Sequence, residues 1–132
     1  MAGENAESAG PPRLRVLIVD DDRALGHSLQ LALSRECHVL SARSAAEALR
    51  LLAVEPVDAI LCDLLLGEEN GAILAGKVVA QWPRYQGRVI LMTGAMPDPS
   101  WADRVTALGH QVLAKPFTRV QAMAALRRIA GG

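Results

Sequence analysis

Apolar positions in this chain follow two alternating arrangements. Val16-Leu17-Ile18-Val19, Ala59-Ile60-Leu61-Cys62 and Val89-Ile90-Leu91-Met92 are unbroken runs, as expected of strands covered on both faces. His38-Val39-Leu40 and Val112-Leu113-Ala114 are shorter runs of the same kind. Between them, apolar residues recur at helical spacing. Leu25, Leu29, Ala32 and Leu33 predict a first helix over Leu25 to Arg35. Ser44-Ala45-Ala46-Glu47 is a capping box opening a second helix, which buries Ala48, Leu49 and Leu52 and stops at Pro56. Gly71 to Gln81 carries Ile73, Leu74, Val78 and Val79 before Trp82-Pro83 breaks the pattern. Pro99 to Leu108 reads as a fourth helix, with Pro99 in its first turn and Gly109 closing it. Arg119 to Ile129 is the fifth, with Val120, Met123, Ala124 and Leu126 turned inward and Arg127-Arg128 at the negative end of its dipole.

Five strands thus alternate with five helices. Connections this short require parallel strands and right-handed crossovers, so the expected fold is an α/β, doubly wound five-stranded parallel sheet with helices on both faces. Residues 1–12 are small, polar and proline-terminated, and are read as a flexible leader before a domain spanning 13–130.

Composition narrows the class. At 132 residues the chain suits one domain with a single core. Only 3% of residues are aromatic, so aliphatic side chains must fill that core. Fourteen basic and fourteen acidic residues cancel, which argues against nucleic-acid binding. Cys37 and Cys62 form neither a disulfide framework nor a zinc motif, and Cys62 is expected to pack as a small hydrophobe. His27, His38 and His110 are scattered without ligand spacing, and Trp82 and Trp101 read as covers for helix ends. No apolar run approaches a membrane span, and the N-terminus lacks the apolar segment of a secretory signal. A soluble, cytoplasmic domain is expected.

In doubly wound sheets ligands bind beyond the carboxyl ends of the strands. Here the first strand ends in Asp20-Asp21-Asp22, the third in Asp63, the fourth in Thr93 and the fifth in Lys115-Pro116. Clustered carboxylates repel one another unless a cation neutralises them, and hard oxygen ligands suit Mg²⁺. A lysine and a hydroxyl beside them are donors for a transferred phosphoryl group. The set describes phosphorylation of a carboxylate, with one Asp as nucleophile. Taken singly, each residue has an ordinary structural reading. An Asp run after a strand is turn and capping chemistry, with Asp22 as a helix cap. Asp63 alone could be a turn residue, a terminal Thr is commonplace, and Lys115 could be a solvated loop charge. Their joint placement at one sheet edge favours the site.

From about Arg13 to Ile129 the chain resembles a response-regulator receiver domain of two-component signalling, with its flavodoxin-like, CheY-like (βα)5 architecture. The resemblance rests on Val16 to Asp22, on Asp63-Leu64-Leu65-Leu66-Gly67-Glu68-Glu69-Asn70-Gly71, and on Lys115-Pro116-Phe117. Thr93 lies thirty residues beyond Asp63, and Lys115 twenty-two beyond Thr93, as is usual in that family. The resemblance implies Asp63 as phosphoacceptor and direct Mg²⁺ ligation by Asp21, Asp63 and the backbone carbonyl of Leu65, with Asp20 acting through water. Thr93 and Lys115 would bind phosphoryl oxygens, and the bond before Pro116 would be cis. It further implies a histidine kinase or histidine-phosphotransfer protein as donor and a downstream protein target. No direct nucleic-acid or membrane partner is expected, and the state would be monomer or weak dimer. Such a domain is a phosphoacceptor that assists its own phosphorylation and dephosphorylation, not an enzyme acting on others.

Two positions depart from the family pattern. Gly67 stands where proline is frequent, leaving a less rigid loop. Val112 stands where many receivers carry a mobile aromatic, and its β-branched side chain has no ring to relocate. Phosphorylation is therefore expected to act mainly on Gly94 to Asp98 and the start of the fourth helix. Three other classes compete. A pseudo-receiver would not need the full Asp20, Asp21, Asp63, Thr93 and Lys115 set. A nucleotide-binding enzyme would need a Gly-rich phosphate cradle, and none is present. An aspartate-nucleophile hydrolase of one family would need a spaced Asp-x-Asp after the first strand. Both a single-domain regulator and a piece of a longer chain fit the sequence.

Overall fold

The computed structural model describes residues 13–94, 103 and 105–131. The leader expected at 1–12, the opening of the fourth helix at Pro99, Trp101 and the segment 95–98 lie outside the described residues. Five parallel strands form one sheet: β1 (Leu14–Val19), β2 (Cys37–Ala42), β3 (Ala59–Asp63), β4 (Val89–Thr93) and β5 (Gln111–Ala114), in the order β2-β1-β3-β4-β5. Helices α1 (Arg23–Leu33), α2 (Ala45–Val54) and α3 (Gly71–Gln81) follow the first three strands, and a C-terminal helix spans Arg119–Gly131. Asp103 and residues 105–107 are helical between β4 and β5. The expected doubly wound alternation is the fold observed.

Strand alternation divides the core in two. Val16, Ile18, Leu61, Ile90 and Met92 pack under α1 and the C-terminal helix. Leu17, Val19, Ile60, Cys62 and Leu91 pack under α2, α3 and Val105 on the opposite face. Near-complete burial of β1, β3 and β4 on both sides explains why these strands read as continuous apolar runs.

Local signals act largely as the sequence predicts. The Asp22 side chain accepts from the Leu25 amide at 3.1 Å, and the Ser44 hydroxyl accepts from the Glu47 amide at 3.1 Å. Glu47 does reach back, but to the amide of Arg43 at 2.8 Å, one residue before the cap. Glu55, the residue before Pro56, is extended and ends α2. Gly109 has φ +90°, and its amide donates to Thr106 O at 2.9 Å as the preceding helical turn closes.

Two expectations need correction. The first helix ends at Leu33 and not Arg35, because the Ser34 amide closes onto Gln30 O and residues 34–36 turn into β2. The buried stripe of the C-terminal helix is Ala122, Met123, Ala125, Leu126 and Ile129. Val120 is 71% exposed and Ala124 is also exposed. The helix is rotated so that its small residues meet the sheet, leaving Val120 on the outer side. In α3, Leu74, Ala75 and Val78 occupy the inner face, and Ile73 is 62% exposed.

Candidate phosphoacceptor site

The strand order reverses between β1 and β3, which places their carboxyl ends side by side at the switch point where such sheets bind ligands. Asp20 and Asp21 follow β1, and Asp63 is the last residue of β3. One carboxylate oxygen from each of the three lies within 4.8 Å of the others. Asp20 and Asp63 are buried, whereas Asp21 is exposed at the mouth.

Backbone bonds hold the frame. The Asp20 amide donates to Ala42 O at 3.0 Å, the Leu64 amide to Met92 O at 2.8 Å, and the Lys115 amide to Thr93 O at 2.7 Å. Thr93, at the end of β4, is buried beside this edge. The bond between Lys115 and Pro116 is cis, as the resemblance implies.

Lys115 Nζ donates to Asp63 Oδ2 at 3.2 Å and lies 3.8 Å from Asp20 Oδ2. Asp63 Oδ1 accepts from the Leu65 amide at 3.3 Å, and Asp20 Oδ1 from the Asp22 amide at 2.9 Å. Burial pushes the Asp20 carboxyl above the ordinary aspartate range. The Asp22 amide and Lys115 oppose that push, while the neighbouring Asp63 adds to it. A desolvated acid crowded by two others is a place that favours added positive charge. The donor set is entirely carboxylate oxygen and fits a hard divalent cation such as Mg²⁺.

The loop after Asp63 folds over the cluster as a two-residue hairpin pairing Leu65–Leu66 with Glu69–Asn70. Gly67, at φ +60°, forms its turn, and a Cβ there would lie 3.6 Å from Asp21 Oδ2. A side chain at position 67 would thus come into ordinary contact with Asp21, which the sequence departure did not foretell.

Other assignments resolve simply. Cys62 is buried, and burial together with Asp63 and Asp20 drives its thiol pKa upward, so it stays protonated and inert. Val112 is half-buried and packs against the core on the α2–α3 side. Trp82 caps α3 and meets Tyr85 edge-on, with ring centroids 6.3 Å apart.

Beside the acids, a cavity of about 520 Å³ opens between α1 and the chain after Lys115. Leu25, Leu29 and Ala32 line one side, and Pro116 and Phe117 the other. Phe117 is half-buried and packs against the core beneath α1, so it both supports the fold and faces the opening.

A family model described as the response regulator receiver domain matches residues 16–127. The regulatory protein VirG of Agrobacterium fabrum is 30% identical over 131 residues, covering 96% of this chain and 50% of VirG. The alginate biosynthesis transcriptional regulatory protein AlgB of Pseudomonas putida is 33% identical over 111 residues, covering 83% of this chain and 24% of AlgB. The chain therefore spans half or less of the length of these relatives. A crystal structure of a response regulator protein from Burkholderia pseudomallei, with a phosphorylated aspartic acid, calcium ion and citrate, is similar at TM-score 0.77 and 28% identity. That match covers 89% of this chain and 69% of the other.

Proposed function

The chain belongs to the response-regulator receiver family of two-component signalling, and from that premise we propose that Asp63 accepts a phosphoryl group from a protein phosphohistidine in a Mg²⁺-dependent reaction. The observation that carries this reading is the convergence of Asp20, Asp21 and Asp63, with Lys115 Nζ 3.2 Å from Asp63 Oδ2. In the step, an Asp63 carboxylate oxygen forms a bond to phosphorus while the nitrogen–phosphorus bond of the donor breaks and the imidazole leaves with its electron pair. Asp21, Asp63 and the Leu65 carbonyl would hold Mg²⁺, with Asp20 acting through water. When bound, the ion supplies positive charge against the phosphoryl oxygens. Lys115 and Thr93 would donate to the same oxygens after transfer.

The donor must bring its phosphohistidine within bonding distance of Asp63, so it docks around the crevice mouth. The face of α1 and the Pro116-Phe117 loop border that mouth and offer apolar surface flanked by Arg119 and Lys115. The switched output is an altered protein interaction in the cytoplasm, made by a monomer or weak dimer. Among the described residues no helix is long and apolar enough to cross a membrane.

Transfer of radiolabelled phosphate from a phosphorylated histidine-phosphotransfer protein tests the reading. Label is expected on the wild type and none on Asp63→Asn. Phe117→Ala should slow this transfer more than it slows labelling by a small phosphodonor. Equal slowing of both would assign Phe117 to the fold or the site and not to docking. A wild type that takes no label from any donor, yet binds a partner unchanged by phosphodonor, would support a phosphorylation-independent interaction module instead.

A further inference from the structure

The first residue of α3 lies close against the backbone of Asp63. Gly71 is buried, and its amide donates to Leu64 O at 2.7 Å. A Cβ built at Gly71 would lie 2.2 Å from the Asp63 carbonyl oxygen, 3.0 Å from the Asp63 carbonyl carbon and 3.1 Å from Leu64 Cα. All three are backbone atoms, and no side chain can swing aside to make room.

The surroundings determine what yields. The Asp63–Leu64 segment is fixed from the β4 side by its pairing with Met92 and by the Leu64 amide bond to Met92 O at 2.8 Å. The first turn of α3 is fixed by Asn70, whose Oδ1 accepts from Ala72 N at 2.7 Å and Ile73 N at 3.3 Å. Leu74, Ala75 and Val78 bury the rest of that helix against the sheet. Neither partner is free to withdraw, so added bulk at Gly71 rotates the Asp63 peptide or prises the helix start outward. The Asp63 carboxylate hangs from the same Cα as the displaced carbonyl. Its contacts at 3.3 Å to Leu65 N and 3.2 Å to Lys115 Nζ would be lost or lengthened.

We propose that Gly71 is a positioning residue for phosphorylation. Its missing side chain lets the start of α3 press against the Asp63 backbone and set the phosphoacceptor carboxylate. This role rests on Asp63 being the phosphoacceptor. Misplacement of a reacting group by roughly 1 Å is enough to slow a reaction about a hundredfold.

Gly76, in the same helix, supplies the control. A Cβ there meets nothing within 4 Å, so Gly76→Ala should leave the site alone and strengthen the helix. Four proteins are compared: wild type, Gly71→Ala, Gly76→Ala and the double variant. Each is scored for thermal midpoint, for rate of labelling by a small phosphodonor with Mg²⁺, and for the metal-free amide resonance of Leu65. Gly71→Ala is expected to label at least tenfold more slowly and to shift the Leu65 resonance. The double variant is expected to melt above Gly71→Ala while remaining just as slow, and Gly76→Ala to label like wild type. Labelling of Gly71→Ala within twofold of wild type would overturn the proposal. So would recovery of the rate in the double variant along with its stability, which would make Gly71 a folding residue only. Absence of label on the wild type would instead refute Asp63 as phosphoacceptor, while the Leu65 resonance would still report the positioning.

Discussion

Replacing Lys115 with Met should move metal binding and phosphorylation in opposite directions. The substitution keeps most of the aliphatic stem and removes the ammonium. Nζ lies 3.2 Å from Asp63 Oδ2 and 3.8 Å from Asp20 Oδ2, so an arriving cation competes with it for the same carboxylates. At an effective dielectric of about 20 those contacts are worth roughly 5 and 4 kcal/mol, and about 1 kcal/mol each with water-like screening. The Lys115 side chain is 22% exposed, so solvent reaches the pair. Screening and the ammonium's lost hydration together reduce the net competition to about 1–2 kcal/mol. Mg²⁺ should therefore bind Lys115→Met roughly 5–30-fold more tightly than wild type. Labelling by a small phosphodonor should nevertheless slow, by about 10²–10³-fold if Lys115 stabilises charge on the transferring group as a preorganised donor does. Calorimetric Mg²⁺ titration and initial labelling rates on the same preparations measure both. Unchanged or weaker Mg²⁺ affinity would refute the competition, and an unimpaired labelling rate would remove Lys115 from the phosphoryl site.

Other outcomes follow from the same geometry. Tyr85 is fully buried and its hydroxyl accepts from the Val57 amide at 3.1 Å, so Tyr85→Phe strands a buried donor. It should cost about 1–3 kcal/mol in urea denaturation and leave labelling intact. His110 is buried, its Nδ1 has no hydrogen-bond partner among the described residues, and burial holds its pKa below the ordinary value. The unfolded chain binds that proton first, near pH 6.5, so the stability contributed by neutral His110 is present above about 6.5 and is lost as pH falls through the folded pKa. Denaturation midpoints of wild type should drop more than those of His110→Gln between neutral and mildly acidic pH, and parallel declines would contradict this. Because Val112 offers no ring to relocate, a phosphoryl mimic should shift amide resonances around Gly94 far more than those around Val112. Large shifts across β5 and the C-terminal helix would show that another side chain has assumed that role.

The sequence was most informative where one element alone decides the outcome. Continuous apolar runs located β1, β3 and β4 because both faces of those central strands are covered, while the half-buried edge strands β2 and β5 showed only as shorter runs. The acids, Thr93 and Lys115 were legible as the residues where the runs stop. Caps at Asp22 and Ser44 were legible because they act within a single turn. What escaped depends on neighbours in space. Val120 and Ala124 share helical spacing with the truly buried residues, and only docking on the sheet selects Ala122 and Ala125 in their place. Tyr85 follows a helix break and gave no periodic signal, yet it fills the core on the α2–α3 side and accepts the Val57 amide. Gly71 read as a helix start, and its closeness to the Asp63 carbonyl is created by the return of α3 onto β3.

The central claim is that Asp63 is phosphorylated with the help of the acid cluster. Intact-mass spectrometry after incubation with a small phosphodonor, with and without Mg²⁺, followed by peptide mapping, tests it most directly. The account predicts one added phosphoryl group, located on Asp63, dependent on Mg²⁺ and absent from a folded Asp63→Asn variant. A phosphoryl group on any other residue, or undiminished modification of Asp63→Asn, would contradict it.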